Sequence, residues 1–231
     1  MAVQSLSFFF TTCCLLLSLG GMNVLPAQDS SPGSSYFEGS MSFEVRLKGA
    51  NADMIKQNEP NTKLLMHLKE ADYIVQLSGG RYPKTFLFVA DSNVEYSMDM
   101  ANKRAFRFSS FNDLTQEAKE APAPTAEPTG KKEQVNGIWC EEYRMKTEKA
   151  IFLFYVSDEY RVNLARFPDR ANTKASFLAR GLDGRIPLKT IKRQSGLIAV
   201  TTLTKVMPRE FDEEQFQIPP NFKVKKRDYR Y

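Results

Sequence analysis

The chain has 231 residues, with 32 Lys and Arg against 27 Asp and Glu, a net charge of +5 and 42% hydrophobic residues. That length suits one domain, or one domain with an insert, large enough to bury a core, and so small a positive excess does not indicate nucleic acid. A single histidine, His67, argues against most His-based metal sites and weakens any proposal of a catalytic triad.

Residues 1–28 hold no charged side chain. An apolar run from Phe8 to Leu19 is followed by Gly20-Gly21 and then Val24-Leu25-Pro26-Ala27-Gln28. The order of apolar core, helix-breaking pair and small residue reads as an export signal cleaved after Ala27. The run is about 12 residues, shorter than the roughly 20 that span a bilayer core. No Lys or Arg precedes it, which departs from the usual signal, and the alternative is an uncleaved amino-terminal anchor. Cys13 and Cys14 lie inside the run. Cleavage would leave Cys140 as the only thiol, so the folded chain would hold no internal disulfide. Residues 28–35 read as a flexible leader.

The main domain is expected over 36–226. In its opening stretch Phe37, Gly39, Met41, Phe43, Val45 and Leu47 alternate with polar residues, the period of a strand with one face buried and one wet. Residues 49–62, polar with Gly and Pro, read as a loop. Strand-like runs follow at 63–70, 72–78, 84–90, 94–100 and 104–111, separated by turn residues such as Ser78-Gly79-Gly80 and Ala101-Asn102-Lys103. Residues 112–134 contain Ala121-Pro122-Ala123-Pro124 and no aromatic side chain, and read as a flexible insert between two halves of one sheet. Strands resume at 135–146 and 150–156. Asn172 is placed to cap a short helix over 173–180, with Gly181 as its stop. A hairpin is predicted over 186–193 and 197–206, then a short helical turn over 208–215, with a basic tail at 227–231. The predicted fold is mostly β (α+β): a curved antiparallel sheet or half-barrel with one or two short helices.

Four spaced segments carry a resemblance. They are Phe37-Glu38-Gly39 at the opening, Asn136-Gly137-Ile138-Trp139-Cys140-Glu141-Glu142-Tyr143 in the middle, then Gly184-Arg185-Ile186-Pro187-Leu188, and Phe216-Gln217-Ile218-Pro219-Pro220-Asn221-Phe222-Lys223 near the end. Their order resembles an uncharacterised family of exported bacterial envelope proteins known as a domain of unknown function, with F-x-G, G-x-x-C-x-x-Y and F-x-x-P-x-x-[FY]-K signatures. The resemblance implies a fold similar to the lipoprotein-carrier (LolA-like) half-barrel, an apolar cavity inside it, a place in the periplasm or outside the cell, and no known reaction.

No enzyme is expected, since no catalytic constellation, cofactor motif or metal motif stands in the chain. Cys140 is flanked by Glu141 and Glu142, which favour the protonated thiol, so a packed strand cysteine is the reading rather than a nucleophile. His67 has no Gly-x-Ser-x-Gly elbow to partner it. Asp91, Asn93, Glu95 and Asp99 imitate a calcium loop, but Tyr96 occupies the position where such a loop needs glycine. The expected function is binding of an apolar or amphipathic, lipid-like ligand in the curved sheet, with Phe37, Met41, Phe43, Val45 and Leu47 as the ligand-lining face. The alternative is a non-enzymatic interaction protein. It would dock the basic residues of 161–193 and the tail on an anionic envelope surface or partner.

Overall fold

The computed structural model describes residues 36–92, 94–107, 125–147, 149–166 and 181–226. The export segment, the leader, residues 108–111 of the predicted strand over 104–111, residues 112–124 of the predicted insert, the helix predicted over 173–180 and the basic tail lie outside them. The strands are β1 (Gly39–Lys48), β2 (Lys63–Lys69), β3 (Asp72–Ser78), β4 (Lys84–Val89), β5 (Val94–Asp99) and β6 (Arg104–Arg107), then β7 (Glu127–Val135), β8 (Ile138–Lys146), β9 (Ile151–Arg161), β10 (Arg185–Gln194), β11 (Leu197–Pro208) and β12 (Lys223–Lys226). All twelve join one curved open sheet in the order β12-β6-β5-β4-β3-β2-β1-β11-β10-β9-β8-β7. The fold is mostly β, as the alternation and turn spacing predict.

Two meanders meet at its centre. β1 to β6 run up and down in sequence, β7 to β11 do the same, and β1 pairs with β11 to join them. At that joint the register slips: Ser42 faces Lys205 while Phe43 faces Leu203. The extra residue, Thr204, turns its hydroxyl to donate to the Ser42 carbonyl at 3.0 Å. A bulge of this kind increases local twist and bends the sheet.

Three expectations need correction. Residues 127–134, predicted to be part of a flexible insert, form the edge strand β7, paired with β8. Its side chains are mostly exposed, so it has almost no apolar pattern to read; its ladder hydrogen bonds hold it. The predicted single strand over 135–146 is a hairpin. Asn136 (φ 51°) and Gly137 (φ 81°) make the two-residue turn between β7 and β8, the left-handed pair such a tight hairpin requires. Finally, the sheet is not wholly antiparallel, because β12 lies parallel to β6.

Helical structure is slight among the described residues. A five-residue helix, α1 (Ala52–Lys56), sits in the expected 49–62 loop and packs Ala52 and Ile55 on Leu197 and Leu47. A 3-10 turn at Glu213–Phe216 falls at the helical turn predicted over 208–215. No described helix is long and apolar enough to cross a membrane.

Candidate functional site: the apolar inner face

Cross-strand neighbours point to the same face of a sheet. Phe43 lies opposite Leu64, and Leu64 opposite Leu77. Met41, Met66, Val75 and Phe86 form a second row, and Gly39, Leu68, Tyr73 and Phe88 a third. Beyond β1 the same cluster continues through Leu203, Leu188, Tyr155 and Cys140 to Val135. One apolar surface therefore runs over strands of both meanders. Of the five side chains proposed from sequence to line a site, Phe37, Met41, Phe43 and Val45 are buried in this cluster and Leu47 packs half-buried against it. Met41 is fully enclosed and Phe43 is 5% exposed, so the protein's own side chains occupy the inner face in this conformation.

Gly39 explains the F-x-G opening. It sits at φ 152°, and a Cβ there would stand 2.5 Å from the Met207 carbonyl and 2.8 Å from the Phe37 ring. Only glycine lets that ring and β11 close on β1 together. Phe37 in turn meets Tyr160 edge-on at 5.3 Å, and its amide donates to the Arg161 carbonyl at 2.8 Å.

The end of β9 reaches across one rim of this face. The Asn163 amide donates to the Glu70 carbonyl at 3.2 Å. Arg166 pairs with Glu70 at 2.5 Å and Asp91 at 2.9 Å, spanning the β2–β3 and β4–β5 turns. Val162 and Leu164 pack beneath this bridge against the cluster. Burial raises the Asp72 carboxyl despite the Ala90 amide it accepts and the attraction of Arg166.

A polar group is set beside the apolar surface on β7 to β10. Tyr155 donates to Glu142 Oε2 at 2.6 Å, and Thr129 Oγ1 donates to Oε1 at 2.8 Å. Burial pushes the Glu142 carboxyl up, but these two donors outweigh it and hold it below the usual carboxylate range. Burial and the Glu142 carboxylate push the Tyr155 phenol the other way, well above its ordinary value. Lys189 Nζ bonds Glu133 at 2.6 Å and lies 4.7 Å from the centre of the Tyr155 ring.

The outer face has its own cover. Arg209 to Phe222 form a strap that presses Phe211, Phe216, Ile218 and Phe222 onto Leu87, Met98, Ile74 and Tyr96. Phe222 donates its amide to the Pro219 carbonyl at 2.9 Å, and Lys223 donates to the Lys103 carbonyl at 2.9 Å. The closing F-x-x-P-x-x-F-K motif is thus the strap's anchor and the start of β12.

The other residues singled out from sequence occupy structural positions. Cys140 is 1% exposed. Burial pushes its thiol up to about 11, with Glu133 and Glu159 adding to the shift. Trp139, its neighbour, points the other way and is 64% exposed. His67 lies on the outer face, bonded to Ser40 at 2.8 Å and edge-on to Phe211. Ser40 is buried, so this Ser–His pair presents no nucleophile to solvent. Burial first and Arg209 second lower the His67 pKa. Of the calcium-like residues, Asn93 lies outside the described residues, and the other three do not converge: Asp91 pairs with Arg166, Glu95 accepts from Tyr73, and Asp99 accepts from Asn102 at the opposite rim. No group of metal-ligating side chains gathers among the described residues. Arg161, Arg166, Arg185 and Lys189 of the basic run are all engaged in ion pairs within the chain. The polar group around Glu142 carried no readable signal, since it depends on strands paired across the sheet; the strap showed only as the closing motif and the helical turn predicted over 208–215.

Taken together, the molecule is an open, curved β-sheet protein with an apolar inner face and a strapped outer one. Residues 37–222 match the family described as "Domain of unknown function (DUF4412)", and the chain belongs to that family. No curated protein sequence matches it. Among solved structures, PNGF-II in its C2 crystal form is similar at 10% identity and a TM-score of 0.50, covering 82% of this chain and 31% of that one. The chain thus spans about a third of the length of PNGF-II. An uncharacterized conserved protein from Thermus thermophilus is similar at 9% identity and a TM-score of 0.46, over 82% of this chain and 91% of that one. A LolA superfamily protein from Nitrosomonas europaea has 10% identity and a TM-score of 0.36, over 78% and 90% of the two chains. At 10% identity the likeness to PNGF-II is one of fold alone.

Proposed function

We propose that the protein binds an apolar or amphipathic, lipid-like ligand between the curved sheet's inner face and the bridge formed by the end of β9, and that it does so after export to the cell envelope. The observation that carries this reading is the breadth of the inner apolar cluster, which extends over both meanders with no second sheet stacked on it among the described residues. A face of this size is closed by the sheet's curvature and by a bridge held through hydrogen bonds and partly exposed ion pairs. Interactions of that kind open at lower cost than a packed second layer does. Met41 and Met66 lie side by side on the inner face, and Met re-packs readily around a guest. Phe37, Met41, Phe43, Val45 and Leu47 are the proposed lining. The polar group around Glu142, Tyr155 and Lys189 would meet the ligand's head. The charge-free apolar run of 8–19 supports export.

The test is native mass spectrometry of protein purified from its own host, together with titration by a fluorescent fatty-acid probe. A co-purifying lipid mass and saturable one-to-one probe binding are expected. A bare protein mass with linear, non-saturating probe uptake would refute the reading.

A further inference from the structure

Alternate connections of an antiparallel meander fall on the same rim of the sheet. One rim therefore holds α1, the β3–β4, β5–β6, β8–β9 and β10–β11 turns and the start of β12. Five large apolar side chains stand exposed there. They are Met54 on α1, Tyr82 between β3 and β4, Met100 between β5 and β6, Ile151 at the first residue of β9 and Val224 at the second residue of β12. Exposed cations line the rim, among them Lys48, Lys63, Arg81, Lys103, Lys149 and Lys223. The Lys223 amide bonds the Lys103 carbonyl, so those two residues are adjacent. Acidic groups at this rim are fewer among the described residues: Asp53 is paired with Lys56, Asp99 accepts from Asn102, and Glu59 and Glu127 are exposed. At the opposite rim the cations Arg161, Arg166 and Arg185 are instead tied up by Asp158, Asp183, Glu70, Asp91 and Glu141.

We infer that this rim docks on an anionic lipid surface, with the cations among the headgroups and Met54, Tyr82, Met100, Ile151 and Val224 dipping into the interface. The surface is distinct from the basic run of 161–193, and the inference stands independently of a ligand inside the sheet. An acidic protein partner would call for one contiguous apolar patch ringed by polar groups. Here the apolar tips are spread over separate elements, α1, the β3–β4 and β5–β6 turns and the starts of β9 and β12, with Lys and Arg along the same rim. That spacing matches a fluid, negatively charged surface, which needs no fixed complementary shape.

Trp139 makes the geometry testable. The only tryptophan of the chain sits beside the β7–β8 turn at the other rim, and is exposed. Vesicles of phosphatidylglycerol mixed with phosphatidylcholine should bind the protein, and vesicles of phosphatidylcholine alone should not. Replacing Arg81, Lys103 and Lys149 together by Gln should weaken binding by about 100-fold, roughly fivefold for each cation lost. Lys205→Gln, an exposed change on β11 away from the rim, should leave binding unaltered. Trp139 emission should stay constant on docking, whereas Tyr82→Trp in a Trp139→Phe background should shift to the blue. Equal affinity for neutral vesicles, no binding to either composition, an unaffected triple variant that melts like the parent, or a blue shift of Trp139 itself would each overturn the inference.

Discussion

Phe43→Ala tests how the inner face is filled. Phe43 is 5% exposed, sits between Leu64 and Leu203, and lies next to the bulge that joins the two meanders. Truncation removes the ring's transfer free energy and leaves a void that a bent, hydrogen-bonded sheet cannot collapse around. A loss of about 3–5 kcal/mol is expected. Urea denaturation followed by far-ultraviolet circular dichroism measures it, with the slope unchanged if the unfolded state is unaffected. The void approaches the scale of engineered apolar cavities of about 150 Å³ that stay dry and accept benzene-sized guests. If the inner face is also the ligand site, a fatty-acid probe should restore part of the loss. At a free concentration of roughly 100 times its Kd the recovery is about 2.7 kcal/mol. A loss below about 1 kcal/mol would refute the packing described for Phe43, being far under the usual range for a buried ring. A full loss with no recovery at any probe concentration would refute ligand access to the inner face while leaving the packing intact.

Cys140 should label slowly: a thiol raised from 9.0 to about 11 has on the order of 100-fold less thiolate near pH 8, and burial slows it further. Comparable labelling rates in buffer and in guanidinium would contradict this. Gly39→Ala should cost several kcal/mol because its Cβ meets backbone on β11, and thermal melting of the variant, expected many degrees lower, checks it. Stability should fall as the pH drops below about 6.5, because the unfolded chain then binds a proton on His67 that the folded chain, with its lowered pKa, resists. Urea midpoints on either side of that pH, at about 7.5 and about 5.5, should therefore diverge less in His67→Gln than in the parent; an identical pH dependence would exclude His67 as a source.

The first meander was legible because its strands are amphipathic and its turns are marked. The predicted runs over 63–70, 72–78 and 84–90 match β2, β3 and β4 to within a residue. β7 was hidden because an edge strand with one neighbour needs no apolar side chains. Its signal was the Asn136-Gly137 pair, which marks a hairpin even where hydrophobic alternation is absent. The candidate lining on β1 followed from period-two alternation. The residues that close the face, Tyr160 to Arg166, could not follow from local pattern, because Arg166 finds Glu70 and Asp91 only after the sheet has curved. The anchoring role of Phe216 and Phe222 was visible only as a motif; its cause, an outer face that also needs covering, belongs to the tertiary structure.

The pairing of β1 with β11 has a kinetic consequence. Every other antiparallel neighbour in the sheet is also a neighbour in sequence, whereas Gly39 must find Pro208. Closing so long a loop is entropically the most expensive step, and contacts of this range form late. Each meander can zip locally, turn by turn, before the two halves register at the bulge. Folding should accordingly be limited by that seam, and conservative truncations along it, such as Val45→Ala, should speed unfolding while barely slowing refolding. Truncations inside the first meander, such as Val75→Ala, should act mainly on the refolding rate. The reverse assignment of these two effects in stopped-flow chevrons would place the seam in the nucleus instead.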